Sequence, residues 1–106
     1  MALTAAGFVN QAAIDSAVRK VEGVFAPQVV RIRYTLENNH YGDPSIFFRV
    51  LVNDDAADDI RHLFELSKRI SNTLVNEAQT YEIGLEPYFS YRTVSEQEKL
   101  RDPVWD

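Results

Sequence analysis

The chain has no cysteine in its 106 residues. That removes disulfides, thiolate metal sites, iron–sulfur clusters and cysteine nucleophiles together. It also fits a reducing compartment, so a cytoplasmic location is the expectation. Glycine is scarce, and Gly7, Gly23, Gly42 and Gly84 are scattered. A phosphate-cradling loop or dinucleotide fingerprint needs clustered glycines, and neither is present. No Gly-x-Ser-x-Gly elbow occurs either. No stretch reaches the ~20 apolar residues of a membrane span. The first residues, Met-Ala-Leu-Thr-Ala-Ala-Gly-Phe-Val, lack the basic region and apolar run of a secretory signal. Basic residues are outnumbered, leaving a net charge of −5, which disfavours nucleic acid and anionic membranes at long range.

What the chain does contain is a pair of strand-like runs flanked by helical patterns. A single domain over 1–106 is the simplest organisation for this length. Residues 1–9 are expected to form a flexible N-terminus or an extra turn. Ile14, Val18, Val21 and Phe25 recur at helical spacing, predicting a first helix from Gln11 to Glu22. Asn10 suits the N-cap, Val9 and Ile14 the hydrophobic staple, and Gly23 a left-handed stop. A strand follows over Val29–Leu36, with Val30, Ile32, Tyr34 and Leu36 on one face and Val29, Arg31, Arg33 and Thr35 on the other. Residues 37–45 read as a long, mobile polar connector.

The second strand, Ile46–Val52, is the most apolar stretch, with Phe47, Arg49 and Leu51 opposite Ile46, Phe48, Val50 and Val52. A second helix is predicted over Ala56–Asn76, burying Ile60, Leu63, Phe64, Ser67, Ile70 and Leu74. A third strand spans about Ile83–Arg92, and Pro87 marks it as an edge. Residues 93–106 form a short helix, with Ser95 and Glu98 at capping-box spacing, and a tail.

The order α-β-β-α-β predicts an α+β two-layer sandwich. In it a three-stranded mixed sheet, ordered 2-1-3, is covered on one face by two helices; this is a ferredoxin-like arrangement with one strand missing. Because both helices are spent on the apolar face, the opposite face carries Arg31, Arg33, Phe47, Arg49, Leu51, Tyr88 and Arg92. Guanidinium groups interleaved with aromatics suit either a protein interface or an anion. The apolar members favour homodimerisation or a protein partner, and nucleic-acid or anion binding is the alternative. Trp105, the sole tryptophan, is too bulky to leave in water and docks on this chain or on a partner.

Chemistry-bearing residues are sparse. Asp54, Asp55, Asp58 and Asp59 have spacing for a hard cation, but helix capping explains them more simply. His62 follows Asp58 by one turn, without a third ligand. His40, Tyr41 and Asp43 offer a base, a phenol and a carboxylate in the 37–45 loop, the one place for a small enzyme site, but no paired nucleophile accompanies them. The expectation is a non-enzymatic interaction module with no metal and no cofactor.

Two resemblances carry over on specific residues. Val21-Glu22-Gly23-Val24, closing the first helix before a hairpin, is similar in layout to the cytoplasmic domain of cation diffusion facilitators over residues 10–92. The metal-binding residues of that family are not recognisable here, so the likeness implies a fold and no zinc site. The stretches Gly42-Asp43-Pro44-Ser45-Ile46-Phe47-Phe48-Arg49-Val50, Pro87-Tyr88-Phe89 and Ser95-Glu96-Gln97 look like those of small uncharacterised bacterial proteins, which implies no particular activity.

Overall fold

Helix α1 (Gln11–Val24) begins where Asn10 accepts a hydrogen bond from the Ala13 amide, as its side-chain type predicts. It ends later than its glycine suggests. Gly23 lies inside the last turn and Phe25 is the C-cap, because the buried stripe Ile14–Ala17–Val18–Val21 continues into Phe25. The computed structural model describes residues 10–106. The expected flexible segment 1–9, including Val9 of the staple, lies outside the described residues.

Strands β1 (Val29–Asn38) and β2 (Pro44–Val52) form an antiparallel hairpin, and β3 (Glu86–Thr93) pairs in parallel with β2. The sheet order is therefore β1-β2-β3, not the expected 2-1-3. The physical reason is in the composition of β2. A near-continuous apolar run can be covered on both faces and bonded on both edges, whereas β1 alternates with arginine and β3 contains Pro87. Pro87 does lie on an edge strand. The α+β class, the α-β-β-α-β order and the mixed sheet are as expected, and the ferredoxin-like likeness is approximate.

Three boundaries differ from the sequence reading. The connector between β1 and β2 shrinks to Asn39–Asp43. There the Asn39 side chain accepts from the Tyr41 and Asp43 amides, and Gly42 takes a positive φ of 88°. The long, mobile loop is thus a tight turn. A 3-10 turn (Asp54–Ala57) precedes helix α2 (Ile60–Ala78), so the second helix starts later than Ala56. Residues 80–84 are turn rather than strand, and buried Leu85 leads into β3 without belonging to it.

Between the helices and the sheet lies the core: Ile14, Val18, Val21, Ile32, Ile46, Phe48, Val50, Ile70 and Leu74 are among its members. Tyr34, Phe48 and Phe89 sit side by side across the three strands, with the Phe48 and Phe89 rings stacked at 5.4 Å. Cross-strand aromatic neighbours of this kind fix register as well as burying area. Ser67 is half-buried, but Ile60 and Phe64, expected on the buried stripe of α2, are 80% and 61% exposed. Ile70 and Leu74 are buried as expected and Leu63 packs against the core, while Leu66 and Ala78 complete the stripe. Phe64 follows Leu63 by one residue, about 100° around the helix, and so falls off the core face.

Candidate functional site: the sheet face opposite the helices

Strand alternation places Arg31, Arg33 and Thr35 of β1, Phe47, Arg49 and Leu51 of β2, and Tyr88, Ser90 and Arg92 of β3 on one face. The pairing register arranges them in rows: Arg31–Leu51–Arg92, Arg33–Arg49–Ser90 and Thr35–Phe47–Tyr88. The expected residues of the face are therefore brought together. One assignment changes. A register irregularity between Val29 and Arg31 turns Val29 into the core, at 3% exposure, and leaves Val30 outside at 46%. A bulge admits one extra residue and reverses the side chains on one side of it.

The first row is covered by the chain itself. Helix α3 (Val94–Leu100) starts at Thr93, which forms a reciprocal capping box with Glu96. The Ser95–Glu98 pair does not serve that role. Ser95 instead donates both its amide and its hydroxyl to the Asp54 carboxylate, which holds Asp54 below the ordinary carboxylate range.

Beyond α3 the chain folds back as a 3-10 turn (Pro103–Trp105) onto β1 and β2. Trp105 is 6% exposed, and the Arg92 guanidinium lies 4.4 Å from its ring centre. Arg92 also donates to Gln97 at 2.8 Å. Arg31 Nε donates to the Trp105 carbonyl at 3.1 Å, and Arg33 Nε to the Asp106 backbone oxygen at 3.0 Å. Buried Gln97 ties the turn down by donating to the Asp102 carbonyl. Leu51 is 3% exposed beneath this cover. Trp105 thus docks on its own chain, and Arg31, Leu51 and Arg92 belong to a second, small core.

The third row remains open. Phe47 and Tyr88 stack with ring centres 5.0 Å apart and planes 13° from parallel, and Tyr88 keeps 38% of its surface exposed. The Tyr88 hydroxyl accepts from Asn39 at 3.0 Å, tying the stack to the hairpin turn. In the middle row Arg49 faces Arg33 directly across the pair, a like-charge juxtaposition that destabilises a sheet unless each charge finds a partner. Arg33 has backbone oxygens; Arg49 donates to the Thr35 hydroxyl at 3.1 Å, a neutral acceptor. The open part of the face therefore combines a stacked aromatic pair with a guanidinium not neutralised by any carboxylate among the described residues.

The other chemistry-bearing residues fall elsewhere. The His40 and Tyr41 rings lie against each other at the exposed hairpin turn, with centres 4.0 Å apart and planes tilted by 38°. His62 meets Gln28, not Asp58. Asp59 caps α2 through the Arg61 amide, so part of the acidic cluster serves helix starts, as capping predicts. Among the described residues no group of three metal-ligating side chains converges, and no helix is long and apolar enough to cross a membrane.

Comparison of the chain with protein-family models, curated proteins and solved structures finds no match.

Proposed function

We propose that the protein is a non-enzymatic interaction module whose sheet face contacts another protein chain. The observation that carries this reading is the Phe47–Tyr88 stack, with Tyr88 exposed and Phe47 half-buried, beside Arg49. Aromatic and arginine side chains dominate the energetics of protein contacts, because rigid rings bury large areas at small entropic cost and a guanidinium adds several directed hydrogen bonds. A partner that lays an apolar side chain on the stack and a carboxylate on Arg49 satisfies both groups. Leu51 and Trp105 support the surface from below and beside it rather than forming it.

Phe47→Glu introduces a charge into the stack at a half-buried, surface position. Affinity capture with wild-type and Phe47→Glu protein, combined with light scattering for self-association, tests the reading. The expected outcome is loss of the bound chain, weakened by about 2 kcal/mol or roughly 30-fold. A strict monomer that captures nothing sensitive to Phe47→Glu overturns it.

A second reading, anion or nucleic-acid binding on the same face, is supported by the facing Arg33–Arg49 pair. It predicts binding that falls steeply with salt. The net charge of −5 weighs against it.

A further inference from the structure

We propose that β1 is a homodimerisation edge, pairing antiparallel with β1 of a second copy to make one continuous six-stranded sheet. This edge borders the Phe47–Tyr88 face, sharing Arg33 and Thr35 with it, but the pairing is through backbone groups and does not rest on the preceding proposal.

The two edges of the sheet are not equivalent. β3 carries Pro87, which removes a donor and discourages pairing. β1 runs for 10 residues with no proline. The Ile32 amide points away from β2 and donates to the Glu22 carboxylate at 2.7 Å. Backbone groups two residues apart point the same way along a strand. The amides of Tyr34 and Leu36 therefore also face outward, and they take no hydrogen-bond acceptor among the described residues. Between this edge and α1 lies a groove of about 650 Å³. An exposed row of backbone groups beside an open groove is a template for strand addition.

Self-pairing is favoured by the sequence of β1. A two-fold axis at Thr35 sets Tyr34 opposite Leu36 of the other copy, and Arg33 opposite Glu37. Arg33 and Glu37 are both exposed, so the register places opposite charges directly across the junction, twice by symmetry. It leaves the Glu22–Ile32 bond intact, and Tyr34 and Leu36 exchange about four backbone hydrogen bonds. A register centred on Tyr34 requires the Ile32 amide that Glu22 already holds. The groove wall carries Asp15, Arg19 and Glu22 from α1, a mixed set that matches a copy of itself better than a ligand of one sign.

The absence of cysteine makes a sharp test available. The Thr35 backbone groups face β2, so the two copies of Thr35 form a non-hydrogen-bonded pair with Cα atoms about 4.5 Å apart. That spacing lies within the disulfide range of about 4.4–6.8 Å. The Thr35→Cys variant is expected to form a covalent dimer under mild oxidation, whereas Ser90→Cys, on the far strand, does not. Sedimentation or light scattering should show a dimer that Arg33→Glu and Glu37→Arg each weaken at least about tenfold and that the double exchange restores. Circular dichroism confirms that each variant is folded.

A chain that stays monomeric up to roughly 100 µM overturns the proposal. So does a dimer indifferent to both reversals, or one cross-linked through Ser90→Cys but not Thr35→Cys. Phe47→Glu separates the two surfaces: a dimer lost through that change alone belongs to the sheet face, and this edge assignment then fails while the interaction-module reading stands.

Discussion

Thr80 is fully buried between α2 and β3, and its hydroxyl has no hydrogen-bond partner among the described residues. A buried polar atom without a partner bears its full desolvation cost, while an apolar isostere does not. Thr80→Val is therefore expected to raise stability by about 1 kcal/mol, visible as a higher urea midpoint at unchanged slope. Tyr34 shows the reverse economy. Burial, then its 2.6 Å hydrogen bond to Asp15 and the charge of that carboxylate, push its hydroxyl up to about 12. The folded state thus holds the phenolic proton more tightly than the unfolded chain, whose tyrosine titrates near the ordinary 10.0. The sign follows: the contribution is complete below pH 10 and lost as pH rises toward 12. Burial raises Tyr91 as well, so denaturation followed across this window should show a fall that Tyr34→Phe reduces and does not abolish. Neither residue was legible as special in the sequence, because both effects depend on neighbours brought from other elements.

At the scale of elements, what the sequence made legible was whatever depends on local period and composition. The run Ile46–Val52 reads as a buried strand and is one, and Asn10 reads as a cap and is one. What escaped depends on competition between distant groups. The sheet order was misread because hairpin neighbours and crossover neighbours compete for the same edges, although the two-sided apolarity of β2 was the signal that decides it. The capping box moved from Ser95 to Thr93 because Asp54, on a different element, claims Ser95. The open-face residues were legible from alternation alone; that Trp105 would cover one end of them was not, since no period marks a docking tail.

The Asp54–Ser95 contact has its own consequence at this scale. Its carboxyl is held below its ordinary 3.8, so its contribution is present above that pH and lost as pH falls through the lowered value. Acid titration of wild-type protein should show α3 loosening below about pH 4. Asp54→Asn is expected to loosen it already at neutral pH and to flatten the acid response, with proteolysis within Val94–Leu100 as the readout.

Taken whole, the described residues form two hydrophobic clusters of unequal size that share β2. The larger lies under α1 and α2; the smaller is Leu51 with Trp105, closed by Arg31, Arg92 and Gln97. Removing a large buried aromatic from a core costs about 3–5 kcal/mol, and less where the neighbours are partly wet. Trp105→Ala is expected to release residues 101–106 and cost about 2 kcal/mol, without unfolding the larger core. Hydrogen exchange checks this: amides of β2 should keep their slow rates while that of Trp105, bonded to Asp102, becomes fast.

The mixed pairing of β2 also orders events in time. Its antiparallel partner is reached through the five residues Asn39–Asp43, its parallel partner only after the whole of α2 has been laid down. Loop closure grows costlier with separation, and local contacts form first. The hairpin should accordingly be born ahead of the third strand. A chain cut after Ala78 would already have both hairpin strands to zip together, with the far flank of β2 still waiting for a neighbour.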